Sequence, residues 1–318
     1  MSGVAHAPRP WGNYAVRTMS TDVTDPTRSA FAAAGAAGEG GHPALSRRRG
    51  LGQTSARSLL LTLLGEFVLP REEPVWTQVL IDVLAALDVE HKSARQALAR
   101  TAAEGLVTSD RAGRRVRWAL TASGRRLLSD GAARIYGFGT PAPAWDGRWL
   151  VLLVSVPEAR RQLRHRLRTR LAWAGLGSPA PGVWVSPDPG KEAEVADVVA
   201  DLELDAVTSS FVGPFGRIGE EAAVVAQAWD LPAIEREYED FLAEFTDAGA
   251  ASAADVLAQQ ILLVHAWRRF PFLDPKLPAE LLPEEWAGAR AAALFDTLHR
   301  RWARQAQAHW KSLVEKAE

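Results

Sequence analysis

The sequence predicts a multidomain α+β protein, and three observations support this fold class. First, 318 residues are enough for two or three domains with separate cores. Second, the apolar patterns change along the chain: helices and then short strands over 53–136, strands alternating with helices over 145–216, and helices alone over 228–318. Third, charge is segregated into a basic segment and a later acidic one.

The composition is that of a globular protein, with 47% hydrophobic and 24% charged residues. The chain contains no cysteine, which excludes disulfides, thiol nucleophiles and cysteine-ligated metal sites. No apolar run reaches the roughly 20 residues of a membrane helix, and the N-terminus lacks the apolar core of a secretory signal. We therefore expect a cytoplasmic protein with no membrane partner. Residues 1–52 are rich in Ala, Gly, Pro, Ser and Thr and predict a disordered tail.

Apolar spacing predicts three helices at the start of the first domain. Thr54 or Ser55 caps the first helix and Pro70 ends it, with apolar positions at Leu60, Leu63, Leu64 and Phe67. The second helix covers about 75–86, and its predicted buried residues are Trp76, Val79, Leu80, Val83, Leu84 and Leu87. The third covers about 90–104, and its inner stripe is Ala94, Ala97, Leu98 and Thr101.

Two short alternating strands follow the third helix, at 106–107 and 116–120, around Asp110–Arg117. They form a hairpin whose tip is rich in arginine. Three helices followed by a two-stranded hairpin, here called the wing, predict a winged helix-turn-helix domain over 53–136. The Pro- and Gly-containing stretch 137–144 is predicted to be a linker.

The third helix and the wing are strongly basic. Between Lys92 and Arg126 there are nine Lys and Arg residues and two acids, so the local net charge is 9 − 2 = +7 in a chain whose formal net charge is −1. Such a separated positive surface is typical of nucleic-acid-binding proteins. The alternative is a winged module used only for protein contacts, with a basic face that is merely solvated.

Within this segment, residue chemistry predicts an interface with double-stranded DNA. Arg95 and Gln96 suit base edges in a major groove, and the small Ala99 allows a close approach. Lys92 and Arg100 suit phosphates, and the wing arginines suit the backbone or the minor groove. The predicted DNA-binding residues are His91, Lys92, Arg95, Gln96, Arg100, Arg111, Arg114, Arg115 and Arg117.

The segment 145–216 alternates between strands and helices. Strands are predicted at 149–156, within 180–187 around Pro181–Gly182, and at 206–212, with helices at 157–173 and 191–202. This order predicts a ferredoxin-like α+β domain. Its first helix carries His165 and six arginines that wrap most of its circumference: Arg160, Arg161, Arg164, Arg166, Arg168 and Arg170. We interpret them as a partly paired, solvated face rather than as a second nucleic-acid site.

The charge reverses between Asp201 and Gln260, where thirteen acids oppose Arg217 and Arg236, a net charge of 2 − 13 = −11. Helices are predicted at 228–245, 251–269 and 283–315, which make 228–318 a helical effector and dimerisation domain. The acidic helices either contact the arginine-rich helix of the central domain or repel DNA from that side of the molecule.

Several stretches resemble the PaaX family of bacterial repressors of phenylacetate and related aromatic catabolism. They are SARSLLLTLLGEFV and ARQALARTAAEGLV in the first domain, WLVLLVSVPEARRQLRHRLRTRLAWAGLGSPAPGVWVSP in the second, and RRFPFLDPKLPAELLPEEWAGARAAALF near the C-terminus. The resemblance covers about Ser55 to Trp310. It implies a dimeric winged-helix repressor that an acyl-CoA, typically phenylacetyl-CoA, releases from its operator.

One departure from the family concerns catalysis. Ser155 stands where members usually have Asp, and the related CRISPR-associated nuclease fold has a metal-binding Asp near that point. The serine lowers the case for a metal-dependent nuclease, because a divalent metal needs hard carboxylate ligands. The chain also has no HExxH, GxSxG, GxxxxGK[ST] or GxGxxG motif. We therefore predict no catalytic residue, no metal site, no cofactor and no enzyme activity.

A cluster near the C-terminal loop is the candidate effector site. His265, Arg268 and Arg269 have spacings that allow one helix face and could recognise a phosphate or thioester. Three aromatic residues would line a slot for an aryl group: Phe270, Phe272 and Trp286. The alternative is a structural bridge between an arginine and Asp274 beneath aromatic packing. Trp302 and Trp310 are predicted core or dimer contacts.

Taken together, the sequence predicts a homodimeric transcriptional repressor of phenylacetate-type catabolic genes. An aryl-CoA thioester such as phenylacetyl-CoA would release it from a palindromic operator with half-sites about one helical turn, roughly 10 bp, apart. The alternatives are a metal-dependent nuclease built on the central domain and a PaaX-like regulator of a different pathway.

Overall fold

The computed structural model describes residues 55–139 and 144–318 as a mixture of helix and sheet, which confirms the predicted α+β class. The predicted tail, 1–52, lies outside the described residues. The described strands form two sheets, one of three strands within 75–120 and one of four strands within 148–214. From residue 221 onward the described chain forms helices joined by turns and loops.

The first helix, α1 (Ala56–Leu63), begins at Ser55, whose hydroxyl accepts a hydrogen bond from the Ser58 amide. It continues into a π turn, Leu64–Val68, and ends before Pro70. The predicted apolar stripe is confirmed, because all its members are buried: Leu60, Leu63, Leu64 and Phe67.

The predicted start of the second helix is wrong. Val75–Trp76 form a short strand, β1, and helix α2 covers Thr77–Ala85. β1 pairs with the wing strand β3 (Arg115–Leu120), where Val75 lies opposite Trp118. This pairing with a distant part of the chain overrides the local helical pattern. Trp76 is therefore half-buried beside the wing and not in the core.

The third helix, α3, covers His91–Ala103 and agrees with the predicted limits. Its buried residues are those of the predicted inner stripe: Ala94, Ala97, Leu98 and Thr101. Gly105 follows the helix with a φ of 72°, a left-handed conformation that glycine adopts without steric cost.

The wing is longer than predicted. Strands β2 (Val107–Ala112) and β3 pair in antiparallel register along their whole length. Only Gly113 and Arg114 lie between them, so both strands extend into the segment 110–117 around which the shorter strands were predicted. Gly113 has a φ of 62°, which suits a tight hairpin turn.

A helix absent from the prediction, α4 (Ala122–Gly137), follows the wing. The Thr121 hydroxyl caps it by accepting a hydrogen bond from the Gly124 amide. A Cβ atom at Gly124 would lie 2.0 Å from the carbonyl oxygen of Leu106, so this close approach requires glycine. The predicted linker, 137–144, overlaps the last residue of α4, and residues 140–143 lie outside the described chain.

The central region is a four-stranded antiparallel sheet with two helices. Its strands lie in the order β5-β6-β4-β7, and their limits are Arg148–Val154 for β4, Gly177–Ala180 for β5, Val183–Ser186 for β6 and Thr208–Pro214 for β7. Helices α5 (Arg161–Trp173) and α6 (Glu192–Asp201) pack against the sheet. Their shared core contains Leu150, Leu152, Val154, Leu167, Leu171, Val195, Val198 and Val199.

Several limits in this region differ from the prediction. Strand β4 ends at Val154 instead of 156, and β7 covers Thr208–Pro214 instead of 206–212. Helix α5 begins at Arg161 instead of Pro157, because Arg160 donates a backbone hydrogen bond to Pro157 in a separate turn. The predicted turn at Pro181–Gly182 does separate β5 from β6, but β5 begins at Gly177, before the predicted strand region. Short 3₁₀ turns lie at Pro189–Lys191, Asp205–Val207 and Ala279–Leu281.

The C-terminal region is helical, as predicted. Its helices are α7 (Glu221–Ala228), α8 (Leu231–Phe245), α9 (Ala253–Trp267), the single turn α10 (Phe270–Leu273) and α11 (Ala287–Lys316). The three long helices lie within about four residues of their predicted limits, whereas α7 and α10 were not predicted. Side chains of Asp230 and Ser252 cap α8 and α9.

One hydrophobic core joins the N-terminal and C-terminal regions, and most of the central sheet has a second core. The ring of Phe67 lies 5.4 Å from the ring of Trp310 in α11. Trp302 and Trp310 are both buried, which makes them core residues, one of the two predicted interpretations. The N-terminal helices therefore rest directly on the C-terminal ones, and α9 lies against α1.

Candidate nucleic-acid interface

Helix α3 presents its predicted residues together on one exposed face. His91, Lys92, Arg95, Gln96 and Ala99 line a single open depression, and Arg100 is exposed beside them. Within the described part of the chain, the side chains of Lys92, Arg95 and Arg100 have no ion pair or hydrogen bond. Their cationic groups are therefore available to an external anion.

The wing arginines divide into two pairs with different surroundings. Arg111 and Arg114 are exposed at the tip, and their side chains have no ion pair or hydrogen bond among the described residues. Arg117 donates from Nε and Nη2 to one oxygen of Asp110, at 2.9 and 2.7 Å. The Arg115 guanidinium lies 3.9 Å from the centre of the Trp76 ring and donates to the carbonyl of Glu318 at 3.3 Å.

The two acids of the basic segment are both neutralised by arginine. Glu104 at the end of α3 pairs with Arg57 of α1, and Asp110 pairs with Arg117. Neither carboxylate is therefore available to offset the exposed charges of α3 or of the wing tip.

Hydrogen bonds fix the wing relative to the helices. Thr77 of α2 donates to the carbonyl of Val116 at 2.9 Å and accepts from the indole of Trp118 at 2.9 Å. Inside α3, the buried Thr101 hydroxyl donates to the Ala97 carbonyl at 2.8 Å. The helix face and the wing are thus held as one surface, which lowers the entropic cost of binding an extended partner.

The candidate effector residues do not share one environment. His265 Nδ1 lies 3.2 Å from the Thr62 hydroxyl, and Arg268 donates to Thr62 and to the Ser58 carbonyl, both at 3.3 Å. Both side chains thus face α1. Burial, and then the charges of Arg268 and Arg269, lower the pKa of His265 to about 4, so its imidazole is neutral at pH 7.

Arg269 faces a different neighbour, since its Nη1 lies 2.8 Å from a carboxylate oxygen of Glu237 in α8. Asp274 instead accepts hydrogen bonds from the Tyr238 hydroxyl at 2.7 Å and from the Lys276 amide at 2.6 Å. The alternative interpretation of an Arg–Asp274 bridge is therefore wrong for Arg269. Burial raises the pKa of the Asp274 carboxyl.

The aromatic members of the cluster differ in exposure. Phe270 is fully buried and stacks on Tyr238 with ring centres 4.1 Å apart. Trp286 meets the same tyrosine edge-on at 5.8 Å, and Phe272 meets Trp173 of α5 edge-on at 5.3 Å. Trp286 and Phe272 are partly exposed and so are the aromatic members that an external ligand would reach.

A buried polar seam between α1 and the C-terminal helices was not predicted from the sequence. Ser58, Thr62 and Glu66 lie four residues apart along α1 and its π turn, and all three are buried. The seam consists of these three residues and of those facing them, Tyr136, Gln260, His265, Arg268 and His299. Polar residues at four-residue spacing in an otherwise apolar stretch were the available sequence signal.

The centre of the seam is the carboxylate of Glu66, a residue that is 4% exposed. It accepts hydrogen bonds from the Tyr136 hydroxyl and from Gln260 at 3.1 Å, and His299 Nε2 lies 3.3 Å away. Two nearby buried atoms, Gln260 Oε1 and His265 Nε2, have no partner among the described residues. A seam of this kind fixes one relative position of the packed helices, because other positions would leave more buried groups unpaired.

These features define a class: a multidomain α+β protein in which a basic helix-and-wing surface is joined by a polar seam to a helical region. Three family profiles match the chain, described as PaaX-like protein (55–124), PaaX protein central Cas2-like domain (142–225) and PaaX-like protein C-terminal domain (229–312). The Transcriptional repressor PaaX of Escherichia coli (strain K12) is 31% identical over 258 residues, which cover 78% of this chain and 80% of the relative.

The chain belongs to the PaaX family, which confirms the resemblance predicted from the sequence. Among solved structures, the uncharacterized protein Rv0674 from Mycobacterium tuberculosis has a similar fold, with a TM-score of 0.57 and 22% identity. That similarity covers 80% of this chain and 99% of the other. Of the described helices, none has both the length and the apolar composition needed to cross a membrane.

Proposed function

We propose that the protein is a DNA-binding transcriptional repressor whose α3 helix enters a major groove of its operator. The observation that carries the proposal is the exposed face of α3, where Lys92, Arg95 and Arg100 have no partner among the described residues. The relative from Escherichia coli is itself named a transcriptional repressor, which supports the same function.

The proposal assigns a role to each part of the surface. Arg95 and Gln96 contact base edges, and Lys92 and Arg100 contact phosphates. The unpaired Arg111 and Arg114 carry the wing's contact with the DNA backbone or minor groove, whereas Arg115 and Arg117 mainly order the wing. This division refines the equal role that the sequence assigned to the four wing arginines.

The domain assignments belong to the same proposal. Residues 53–136 form a winged helix-turn-helix domain, 145–216 a ferredoxin-like domain, and 228–318 a helical effector and dimerisation domain. The antiparallel sheet order and the succession β4-α5-β5-β6-α6-β7 support the ferredoxin-like assignment. The protein acts in the cytoplasm as a homodimer on a palindromic operator upstream of phenylacetate-type catabolic genes.

The proposed effector is an aryl-CoA thioester such as phenylacetyl-CoA, which the family resemblance supports. The candidate effector cluster remains His265, Arg268, Arg269, Phe270, Phe272 and Trp286. Because Arg269 is paired with Glu237, a phosphate would have to displace that carboxylate. Since His265 and Arg268 contact α1, a ligand that moved them would act directly on the helix beside the DNA-binding surface.

Footprinting on the DNA upstream of the phenylacetate-type catabolic genes and of the chain's own gene tests the proposal. We expect a protected palindrome whose protection is lost on adding phenylacetyl-CoA and retained with free phenylacetate. If no sequence is protected over random DNA, the proposed DNA-binding function is wrong. If protection persists with every member of a panel of aryl-CoA thioesters, DNA binding is supported and the proposed effector is wrong.

A further inference from the structure

Helix α5 in the central region presents a second cationic surface that the proposed function does not use. Its sequence, RQLRHRLRTRLAW, contains no acid. Leu167 and Leu171 face the central core, whereas five arginines are exposed, namely Arg160 just before the helix and Arg161, Arg164, Arg166 and Arg168 within it.

Few of these charges have a partner. Arg164 Nη2 lies 3.8 Å from Glu158 Oε1, and Arg170 Nη2 lies 2.6 Å from Asp201 Oδ2. Within residues 55–139 and 144–318, the side chains of the other four have no ion pair or hydrogen bond; they are Arg160, Arg161, Arg166 and Arg168. The predicted partial pairing is therefore limited to two arginines. Arg170 is paired near the end of the helix, and Arg164 is paired with an acid that precedes the helix.

The acidic helix α8 does not supply the missing counter-charge. Its Glu237 pairs with Arg269, and its Glu239 pairs with Arg290 of α11 at 2.5 Å. These two acids of the C-terminal region thus form ion pairs with arginines of the same region. The acid that pairs with Arg170 is Asp201, which lies on α6 of the central region and not on an acidic helix of the C-terminal region.

The spacing within α5 brings like charges together. Arg161 and Arg164 are three residues apart, and Arg164 and Arg168 are four residues apart, separations at which like charges destabilise a helix. Arg161 also lies in the first turn, where the helix dipole favours acids. An anionic partner would remove this repulsion.

Three of the arginines form a line suited to an extended anion. Arg161, Arg164 and Arg168, which we call the arginine stripe, span about 60° of the helix and about 10 Å along its axis. Guanidinium groups form charge-assisted, often bidentate hydrogen bonds with phosphate oxygens. A row of phosphates matches such a line of donors.

A protein partner fits this surface less well, because protein interfaces have an apolar centre and the stripe has none. The exposed aromatic residue at the end of α5, Trp173, already packs against Phe272. We propose that the arginine stripe binds the phosphate backbone of duplex DNA, outside the base pairs read by α3. The inference rests on the proposed function for the identity of the polyanion.

The test compares the salt dependence of DNA binding for the wild type and for the R161Q/R164Q/R168Q variant. Fluorescence anisotropy would use two labelled duplexes of equal length, the footprinted upstream segment and a random sequence. Each lost phosphate contact reduces the magnitude of the negative slope of log K against log salt by about 0.9, so we expect the magnitude to fall by roughly 2 to 3 on both duplexes. The preference for the upstream segment over the random one should be unchanged.

The matched control, R300Q/R301Q/R304Q, removes the same charge from exposed arginines of α11. An unchanged slope in the stripe variant, or an equal decrease in the control, overturns the inference. Unchanged DNA binding combined with weaker self-association in sedimentation would assign the stripe to a second copy of the chain and also overturns it. If the wild type shows no sequence preference but the stripe variant still loses slope, sequence-specific repression is wrong, whereas the contact of the stripe with the DNA backbone is supported. Failure of the wild type to bind either duplex overturns both.

Discussion

The hydroxyl of Tyr136 on α4 donates a hydrogen bond to the buried carboxylate of Glu66 on the π turn after α1. The same carboxylate accepts from Gln260 on α9. One side chain therefore joins two N-terminal elements to a C-terminal helix. Because the carboxylate has lost nearly all contact with solvent, each of its donors matters more than an exposed hydrogen bond would.

Removing the Tyr136 hydroxyl should destabilise the fold. We expect Tyr136→Phe to lower the free energy of unfolding by on the order of 1–3 kcal/mol, since a buried charged acceptor loses one donor. Urea denaturation followed by circular dichroism measures the change. Thr297→Val is the control, because that hydroxyl is exposed and bonds only within α11, so its loss should cost less than about 0.5 kcal/mol. Equal effects in the two variants would contradict the role assigned to Glu66.

Arg95 should contribute sequence preference more than general affinity. We expect Arg95→Ala to weaken binding to the upstream segment by about 5- to 150-fold, corresponding to about 1–3 kcal/mol for a bidentate base contact. Binding to random DNA should change much less. Anisotropy titrations on both duplexes measure the difference, and Lys92→Ala, which removes a phosphate contact, should weaken both about equally. A uniform loss for Arg95→Ala would mean that it contacts only phosphate.

Releasing Arg117 from Asp110 should strengthen binding to any DNA sequence. In Asp110→Asn the Arg117 guanidinium loses its charged partner, so one more cation becomes available to phosphate. The slope of log K against log salt should steepen by about 0.9 for one added contact. Asp130→Asn makes the same charge change on the exposed side of α4 and should have a smaller effect. If the two variants behave alike, net charge and not Arg117 accounts for the change.

The buried His265 should make stability depend on pH. Its folded pKa of about 4 lies below its ordinary value of 6.5, so between these values the unfolded chain binds a proton that the folded chain does not. The neutral His265 therefore costs the folded state nothing above about pH 6.5. As the pH falls toward 4, the free energy of unfolding decreases by up to about 3 kcal/mol.

Comparison with His265→Asn isolates this contribution. Asp274, whose raised pKa acts in the opposite direction, is present in both proteins and cancels in the difference. Denaturant midpoints measured from pH 7.5 to pH 4.5 should decrease more steeply for the wild type. Parallel curves for the two proteins would show that His265 titrates normally in the folded state.

Local patterns were sufficient for α3, because its core-facing residues repeat at helical spacing and its polar face carries the charges. They were insufficient at Val75–Trp76, where pairing with the wing decides the conformation. They also failed for α4, where Gly124 and Gly131 lower helix propensity, although Gly124 is required by its contact with Leu106. Local sequence describes a segment's own preference and not the partners that override it.

The candidate sites likewise contain residues that local sequence predicts and residues whose surroundings depend on distant parts of the chain. The exposed basic residues of α3 were predictable because exposure and charge follow from the helix alone. The environment of Glu66 was not, since its partners Gln260 and His299 come from the far end of the chain. Similarly, Arg111 and Arg117 look equivalent in sequence, and only the hairpin register reveals that Arg117 faces Asp110.

The contact between Arg115 and the carbonyl of Glu318 has a practical consequence for protein engineering. An affinity tag or fluorescent protein joined after Glu318 would emerge beside the wing, where the duplex is proposed to bind. A reporter deliberately joined after Glu318 would serve as a proximity sensor for DNA.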